Sequence, residues 1–564
     1  MNNIKRNISD CMKFNKYLIA AITGTFTLPL LAQSGEKPNI ILIVADDMGY
    51  SDIGCYGGEI ETPNINRLGN HGIRYTQFYN AGRSCPTRAS LMTGLYPHQA
   101  GMGWMTVANL GTPQYQGELN DRCMTIAEVL KSVGYNTYMS GKWHLTRNYD
   151  ETQSADKHNW PLQRGFDGFF GTIPGGGSYF TPNGLAVGNT IIKPKQPFYY
   201  TEAISDNAVG FIRENQTKKP EQPFFLYVAY TAPHWPLHAL DKDIAKYKGK
   251  YDKGWDAMRK ERYVRMKKMG IIPENTVLPE RHEDAAAWYT IPKRLKSELS
   301  HRMEVYAAQI DNMDQGIGRI IAELERTNQL DNTIIMFLSD NGACAEMISH
   351  DDKTGEIGST DASFESYGLA WANVSNSPFR MFKHWIHEGG IATPFIVHWP
   401  KGIDSKYNGR LYNKPAHLVD VLATVVELSN VDYTKLINKN NKLQPLEGQS
   451  LLPTFQLLDN NRKPIFWEHE ANIGMRDGKW KLVAKAKEGN KGAIGQLELY
   501  NIEDDRSETN DLSKQYAELT KKMFDQWMEW ANRIQVFPLD TRDYDVRTRE
   551  SRKKEAHIWQ KRRN

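Results

Sequence analysis

The sequence predicts an α/β fold: a large, mainly parallel sheet flanked by helices, followed by a small C-terminal subdomain of antiparallel sheet plus a helix. Over the first 430 residues, continuous apolar runs alternate with segments of helical periodicity, the pattern of a doubly wound α/β domain. After residue 430, short segments of alternating polarity separated by turn residues replace that pattern. A chain of 564 residues is long enough to hold both parts.

The predicted strands of the large sheet are continuous apolar runs. A strand covered by helices on both faces has this pattern, and parallel sheets are usually covered on both faces. The first of them, Asn39–Ala45, reads NIILIVA and is rich in β-branched residues. In chain order, the predicted strands are Asn39–Ala45, Gly134–Met139, Pro223–Tyr230, Asn332–Ser339 and Pro394–Trp399.

Helical periodicity occurs between these strands. The predicted helices are Ala89–Thr93, Thr125–Ser132, Ser205–Glu214, Ser297–Arg326 and His417–Leu428. Residues 149–200 are rich in Gly, Asn and Pro, and we interpret them as long surface loops. Residues 239–291 are charged and weakly periodic, which indicates a helical insertion.

The C-terminal subdomain is predicted from short segments with turn signals between them, such as Asp477-Gly478. The predicted segments are Pro464–Glu468, Gly474–Arg476, Lys479–Ala484 and Gln496–Tyr500, followed by a helix over Ser513–Arg533. We therefore divide the chain into a signal peptide (1–32), a large α/β domain (36–430), a C-terminal subdomain (431–540) and a basic tail (541–564).

The N-terminus has the layout of a secretory signal peptide. Four lysines and arginines between residues 5 and 16 precede the apolar run Tyr17–Ala32, and polar residues follow it. A membrane anchor is the alternative, but the run is shorter than the roughly 20 residues needed to span a bilayer. We therefore expect export with cleavage after Ala32, and no stable membrane insertion.

Charge and cysteine content exclude several classes of protein. The net charge of +4 is small, and a local excess lies in the tail, where nine Lys/Arg stand against four Asp/Glu. We interpret that tail as a solvated end; an anionic partner is the alternative, and nothing indicates nucleic-acid binding. Cys11 lies in the signal peptide, and the other four cysteines form no zinc pattern, although one or two disulfides remain open.

Acidic and amide side chains follow two predicted core strands. Asp46 and Asp47 come directly after the first strand, and Asp340 and Asn341 follow the Asn332 strand. Singly, an Asp-Asp pair is a helix cap and Asp-Asn-Gly is a turn. Ligands of α/β sheets gather at the carboxyl ends of strands, so together these oxygens predict a site for Ca²⁺ or Mg²⁺.

Basic side chains occur at the remaining strand ends. Lys142 and His144 follow the Gly134 strand, His234 follows the Pro223 strand, and Lys383 precedes the Pro394 strand. Each alone is most simply a surface charge or a satisfied polar group. Their repetition at strand ends predicts that they share one site with the carboxylates.

Residues 84 to 88 fit the pattern S-x-P-x-R at the start of a helix. Pro86 suits the first helical turn, and Ser84 and Arg88 lie four residues apart on one helix face. The free N–H groups of a helix N-terminus favour an oxyanion there. The pentapeptide alone is short enough to occur by chance.

Six motifs in one order carry a resemblance to a known family. They are Asp46-Asp47, S-x-P-x-R-A-S from Ser84, G-K-W-H from Gly141, A-P-H-x-P from Ala232, S-D-N-G from Ser339 and K-x-x-x-x-E-G-G from Lys383. This order resembles the type I, formylglycine-dependent sulfatases, in particular their arylsulfatase-like branch, which belong to the alkaline-phosphatase-like superfamily. The resemblance extends from about Pro38 to the C-terminal helix.

The resemblance implies a role for each matched residue. One calcium ion would be bound by Asp46, Asp47, Asp340, Asn341 and the modified Ser84. Arg88 would hold the formylglycine, Lys142 and Lys383 the sulfate oxygens, and His144 and His234 would transfer protons. In the family's mechanism the hydrated aldehyde attacks sulfur, and its second hydroxyl allows sulfate to leave.

The residue to be modified is Ser84, because Pro86 stands two positions after it and Cys85 then occupies the variable position. By family resemblance a serine-type motif depends on a radical-SAM formylglycine maturase. That implies an anaerobic bacterium, and the export signal then implies the periplasm of a Gram-negative cell.

The expected substrate is a sulfate monoester. Three carboxylates and a divalent cation sum to −1, and Arg88, Lys142 and Lys383 bring the site to +2, which attracts an anion. We expect exo-acting O-sulfatase activity on terminal galactose or N-acetylhexosamine of glycans. The alternatives are an aryl or other small-molecule sulfatase, a phosphatase or phosphodiesterase of the same superfamily, and a non-catalytic sulfated-glycan binder. Four tryptophans near the motifs could stack on sugar rings, and buried packing is the alternative for each: Trp104, Trp143, Trp235 and Trp385.

Overall fold

The largest element is an eleven-stranded mixed sheet that carries helices on both faces. A computed structural model describes residues 37–147, 156–487, 490–540, 542 and 545–549. The predicted signal peptide and most of the basic tail lie outside these residues, so both stay predictions, as do the domain boundaries.

The strands are numbered here in chain order. They are β1 Asn39–Ala45, β2 Ile73–Tyr79, β3 Asn136–Gly141, β4 Gly168–Thr172, β5 Leu185–Val187, β6 Thr190–Ile191, β7 Phe224–Ala229, β8 Thr333–Ser339, β9 Ser349–Thr354, β10 Ser363–Glu365, β11 Ala392–His398, β12 Arg410–Tyr412, β13 Ala416–His417, β14 Ile465–His469, β15 Asn472–Asp477, β16 Trp480–Ala484, β17 Ala486–Lys487, β18 Asn490–Ile494 and β19 Glu498–Asn501.

The α-helices are numbered in the same way. They are α1 Pro63–Asn70, α2 Ser84–Thr93, α3 Ile126–Lys131, α4 Tyr200–Lys218, α5 Asp241–Ile244, α6 Gly254–Lys268, α7 Lys293–Arg326, α8 Leu369–Ser375, α9 Glu388–Ile391, α10 Val419–Leu428, α11 Tyr433–Lys439 and α12 Ala517–Arg533.

The strand order of the large sheet is β12-β2-β11-β8-β1-β7-β3-β4-β5-β6, and β13 also pairs with β2. Strands β8, β1, β7, β3 and β4 run parallel to one another. Strand β11 is antiparallel to both β8 and β2, so β2 runs in the same direction as β8. Strand β5 is likewise antiparallel to both of its neighbours, β4 and β6. The sheet is therefore mainly parallel, as predicted, with two antiparallel strands, β11 and β5, inside it.

Both faces of the sheet are covered, which explains the continuous apolar run of β1. Ile41 and Ile43 belong to the apolar cluster that includes Ile310 of α7, whereas Leu42 and Val44 belong to the cluster that includes Leu91 of α2. Alternate residues of a strand point to opposite faces, so every position of β1 needs an apolar side chain. All seven of its residues are buried.

The structure corrects part of the loop prediction for residues 149–200. Strands β4, β5 and β6 and the first residue of α4 lie in this range, as short elements at one edge of the sheet. Strand β2 was also missed, because its sequence IRYTQFY mixes polar and aromatic residues and two of its positions are only half-buried. The helical insertion predicted over 239–291 is confirmed by α5 and α6.

The C-terminal region contains the predicted antiparallel sheet and helix. Strands β14, β15, β16 and β19 pair in that order, all antiparallel. Helix α12 packs on this sheet through Met523, Trp527 and Trp530. The four cysteines of the described chain, Cys55, Cys85, Cys123 and Cys344, are separate buried thiols. Within the described ranges, each helix is too short or too polar to cross a membrane.

A buried ion cluster joins the small sheet to the large one. Lys481 Nζ of β16 lies 2.9 Å from Glu388 Oε1 at the start of α9 and 2.7 Å from Glu508 Oε1. Arg506 Nε lies 3.2 Å from Glu388 Oε2, and all four side chains are almost fully buried. The Glu of the K-x-x-x-x-E-G-G motif therefore anchors the subdomain.

Replacing Lys481 by methionine is expected to lower the free energy of unfolding by about 3–5 kcal/mol, because it leaves two buried carboxylates without their shared cation. The matched control is Lys479→Met on the same hairpin, which removes an exposed lysine. Guanidinium denaturation at pH 7 measures both, and equal midpoints for the two variants would contradict the assignment.

The loss of unfolding free energy in Lys481→Met should become smaller at low pH. Burial acts to raise the pKa of Glu388, but Lys481 and Arg506 outweigh it and hold that pKa below its ordinary value of 4.5. A lowered carboxyl pKa contributes stability that is present above pH 4.5 and is lost as the pH falls. The difference between wild type and Lys481→Met should therefore shrink below pH 4.5.

Candidate active site

The residues predicted from strand ends meet at one edge of the large sheet. The neighbouring parallel strands β8, β1, β7 and β3 end there, paired at Ala45 with Ser339, Val44 with Ala229, and Gly141 with Ala229. Strand β2 also ends at this edge and leads into α2, which begins at Ser84. Because β11 is antiparallel, its beginning lies at the same edge and places the preceding Lys383 there.

Ser84 is the first residue of α2 and is only 2% exposed. Its hydroxyl donates a hydrogen bond to Asp340 Oδ2 at 2.6 Å, and Arg88 Nε donates to the same hydroxyl at 3.1 Å. The predicted convergence of Ser84 and Arg88 on one helix face is confirmed.

Arg88 is fully buried and held from two sides. Its Nε and Nη2 donate to Asp340 Oδ2 at 3.0 and 2.8 Å, and its Nη1 donates to the Lys142 carbonyl at 3.2 Å. Its Nη2 lies 3.8 Å from Asp46 Oδ1. A guanidinium fixed in this way presents a permanent positive charge beside the Ser84 side chain.

The acidic and amide residues form one buried cluster. The Asp47 amide donates to Asp340 Oδ1 at 3.2 Å, and Asn341 Nδ2 donates to Asp47 Oδ1 at 2.6 Å. Two lysines flank the cluster: Lys142 Nζ lies 2.6 Å from Asp46 Oδ2, and Lys383 Nζ lies 2.8 Å from Asp47 Oδ2.

Among the residues that the structure describes, two buried oxygens of this cluster have no hydrogen-bond donor, Asp46 Oδ1 and Asn341 Oδ1. Burial, together with the nearby Asp340, raises the pKa of Asp46 to about 8. Burial acts on Asp340 in the same direction, but Arg88 and Lys142 outweigh it and lower its pKa. A buried set of three carboxylates and an amide, with unpaired oxygens, has the chemistry of a hard-cation site.

The His234 imidazole lies beside both Lys383 and Asp47. Its Nδ1 lies 2.6 Å from the Trp235 carbonyl, which only accepts, so Nδ1 carries the proton and Nε2 a lone pair. Nε2 lies 3.5 Å from both Lys383 Nζ and Asp47 Oδ2. Burial outweighs the opposing effect of Asp47 and lowers the pKa of His234 to about 4. It is also near enough to Asp46 and Asp47 to be a metal ligand.

His144 lies on the other side of Ser84. Its Nε2 is 3.1 Å from the Cys85 sulfur, and its buried Nδ1 has no hydrogen-bond partner in the described part of the chain. Burial, followed by the charges of Lys142 and Arg88, lowers its pKa well below the ordinary value. The imidazole is therefore neutral and able to accept a proton.

These residues line a cleft of about 500 Å³. Of the predicted site residues, those that reach its wall are Ser84, Lys142, His144, His234 and Lys383. Trp235 also lines the cleft, whereas Trp104 and Trp143 are 1% and 0% exposed and belong to the interior. Of the two roles left open for these tryptophans, Trp104 and Trp143 therefore have buried packing and not stacking on sugar rings.

Several residues of the cleft wall were missed from the sequence, and two of them, Arg83 and Glu346, form an ion pair there. Arg83 Nη2 lies 2.9 Å from Glu346 Oε1, and Glu346 Oε2 lies 3.6 Å from Lys383 Nζ and accepts from Trp235 Nε1 at 3.1 Å. Such a pair offers donors and acceptors to substrate hydroxyl groups. The only available signal was their position, Arg83 beside Ser84 and Glu346 five residues after Asn341.

Comparison with known proteins gives consistent results. A family model described as Sulfatase matches residues 38–431. An arylsulfatase of Klebsiella aerogenes is 37% identical over 461 residues, covering 77% of this chain and 96% of that protein. An uncharacterised sulfatase of Schizosaccharomyces pombe is 33% identical over 534 residues, covering 87% and 93%.

Solved structures share the fold. A crystal structure described as Ps i-CgsB in complex with k-i-k-neocarrahexaose is 27% identical to this chain, with a TM-score of 0.66. The match covers 92% of this chain and 98% of that one.

Proposed function

Because this chain belongs to the sulfatase family and hydrolyses sulfate esters, we propose that it removes terminal O-sulfate groups from glycan sugars, galactose or N-acetylhexosamine, using one calcium ion and a formylglycine made from Ser84. The observation that carries this proposal is the Ser84–Arg88–Asp340 arrangement at a cleft lined by Lys142 and Lys383. The exported chain would act in the periplasm.

The site fits both groups that the family implies. Asp46, Asp47, Asp340 and Asn341 would hold calcium together with the modified Ser84, since unpaired oxygens of Asp46 and Asn341 lie inside the cluster. Bound calcium supplies charge that orients sulfate and activates an oxygen nucleophile. Formylglycine, installed by a serine-type radical-SAM maturase, supplies in its hydrated form a nucleophile whose second hydroxyl allows sulfate to be released.

The chain's own residues then perform the binding and proton transfers. Lys142 and Lys383 bind the sulfate oxygens, and the buried Arg88 fixes the nucleophilic residue. His144, being neutral, accepts a proton on the Ser84 side of the cleft. Lys383 and His234, 3.5 Å apart, share the proton that the departing sugar oxygen needs.

Two observations support a sugar substrate: the charged pair in the wall of the cleft and the oligosaccharide described for a structural neighbour. Arg83 and Glu346 offer hydrogen bonds of both kinds beside the sulfate position, and the structural neighbour named above is described with a bound oligosaccharide. The alternative, an aryl or other small-molecule sulfatase, is favoured by the similarity to an arylsulfatase.

The proposal is tested with galactose sulfated singly at O2, O3, O4 or O6 and N-acetylhexosamine sulfated singly at O3, O4 or O6. The panel also contains 4-nitrophenyl sulfate and 4-nitrophenyl phosphate. We expect one sugar sulfate to be hydrolysed with the highest kcat/KM. Turnover of the aryl sulfate alone would assign the alternative function, and turnover of phosphate esters alone would reject both.

The general-acid assignment predicts a dependence on the leaving group. His234→Ala should lower kcat for a sugar sulfate by about 10²–10⁴-fold, because a sugar alkoxide needs a proton to depart. With 4-nitrophenyl sulfate the loss should be under about tenfold, because nitrophenolate leaves unprotonated. The exposed His71→Ala serves as the control. Equal losses with both substrates would argue for calcium binding or packing by His234 instead.

A further inference from the structure

A second chamber of about 390 Å³ adjoins the sulfate cleft. The two share the walls formed by Arg83, Met105, Glu346 and Lys383. Beyond this shared wall, the chamber is lined by His384, Trp385, His469 and Glu470. Residues of the small C-terminal sheet therefore reach the neighbourhood of the reacting group.

Glu470 lies in a tight turn whose backbone conformation is unfavourable for the residues that form it. His469 pairs with Asn472, so Glu470 and Ala471 form a two-residue loop between β14 and β15. Both have positive φ, +52° and +62°. Two-residue hairpin loops of this kind favour Asn-Gly, because residues with a Cβ rarely adopt positive φ. Contacts elsewhere must hold this loop.

Those contacts come from three separate segments. Glu470 Oε1 accepts from Trp104 Nε1 at 2.6 Å and from Arg547 Nη1 at 2.8 Å, and Oε2 lies 2.9 Å from His384 Nδ1. His384, His469 and Glu470 have the spacing of a metal trio. Because Glu470 is already engaged by a guanidinium and an indole, we interpret its contact with His384 as part of a hydrogen-bond network. His469 Nε2 lies 4.0 Å from Glu470 Oε2, beyond hydrogen-bond distance.

Arg547 belongs to the basic C-terminal segment yet is only 4% exposed. Its Nε donates to the Arg542 carbonyl at 2.6 Å and its Nη2 to the Asp540 carbonyl at 3.0 Å. Its guanidinium lies 5.2 Å from the centre of the Trp104 ring. At this residue, the interpretation of the tail as a solvated end is wrong.

His384 connects this network to the reacting residues. It directly follows Lys383, has a φ of +89°, and its backbone N–H donates to the Gly82 carbonyl at 2.7 Å. Gly82 lies two residues before Ser84. His384 thus joins the segment that carries the nucleophile to the segment that carries the sulfate-binding lysine.

We propose that Arg547 is a positioning residue for the active site: it fixes Glu470, which fixes His384 between the Ser84 and Lys383 segments. The catalytic part of this inference rests on the proposed function; the structural part does not. Arg547 does not touch substrate. It acts at a distance through one carboxylate and one imidazole.

Three variants test the inference: Arg547→Ala, the conservative Arg547→Lys, and the control Arg549→Ala, which removes an exposed arginine two residues away. Hydrogen–deuterium exchange should show faster uptake in residues 380–390 and 466–474 of Arg547→Ala than of wild type. Arg547→Lys should restore part of the protection, and Arg549→Ala should match wild type.

Activity gives a second readout. In matured protein, Arg547→Ala should lower kcat/KM for 4-nitrophenyl sulfate at least tenfold, and Glu470→Gln should lower it by a similar factor. The double variant should lose little more than either single variant, because both changes break one chain of contacts. The inference would be overturned if the fold-loss of kcat/KM in the double variant equalled the product of the two single-variant losses.

The outcomes separate this inference from the proposed function. Unchanged exchange in residues 380–390 of Arg547→Ala overturns the positioning role, whatever the enzyme hydrolyses. An inactive, correctly matured wild type would reject the proposed function, while the exchange measurement would still decide the role of Arg547.

Discussion

Replacing Ser84 by alanine is expected to reduce kcat/KM for sulfate esters by on the order of 10³-fold or more, because the nucleophilic side chain is removed. The fold should persist, since Arg88 keeps both its hydrogen bonds to Asp340. Hydrolysis of 4-nitrophenyl sulfate and circular dichroism measure the two expectations. The tryptic peptide from Ser84 to Arg88 of active wild type should have lost two hydrogen atoms relative to serine.

Two further variants sharpen this prediction. Ser90→Ala removes another buried hydroxyl from α2 and should leave activity unchanged. Ser84→Cys changes the pattern to C-x-P-x-R, and this variant should stay active when a maturase that converts cysteine is present. An unmodified serine in active wild-type protein from its native host would sink the formylglycine proposal.

Replacing Asp340 by asparagine is expected to remove bound calcium and to lower kcat/KM on the order of 100-fold or more. The Asp340 carboxylate accepts from Ser84, from Arg88 and from the Asp47 amide. The asparagine side chain at position 340 carries no negative charge. Its NH₂ group would also face one of these hydrogen-bond donors or the calcium ion, and neither can accept its hydrogen bond.

Metal content and thermal unfolding measure this effect without substrate. Wild type should carry one calcium ion per chain, and calcium should raise its Tm, because a ligand that binds only the folded state stabilises it. Asp340→Asn should lack both properties. Asp404→Asn, at an exposed carboxylate, should keep both. A fully active, calcium-free Asp340→Asn protein would refute the metal-site assignment.

Much of the site could be predicted because it follows core strands. Strands such as β1 and β8 are buried on both faces and are therefore continuous apolar runs in the sequence. These runs predict where each strand ends, and so they predict the positions of Asp46 and Asp340. The mixed nature of the sheet was not predictable in this way. Strand β2, which leads to Ser84, has polar residues at half-buried positions and lacks that signal.

The remaining site residues depend on packing between distant segments. Glu470 and Arg547 are separated by 77 positions, and neither lies in a motif. Their meeting requires a turn with positive φ and a buried guanidinium, which sequence patterns disfavour rather than predict. The same holds for Arg83 and Glu346, which meet only once β2 and β8 lie in one sheet.

The burial of Ser84 has a consequence for how the enzyme is made. At 2% exposure, with its hydroxyl held between Asp340 and Arg88, the side chain is closed to another protein. If Ser84 is converted to formylglycine, as we propose, the maturase must reach the segment while the chain is still unfolded, and oxidation of Ser84 then precedes folding. On that proposal, we expect protein that folds before it meets the maturase to keep an unmodified Ser84, and we expect maturase added after folding to leave it unconverted.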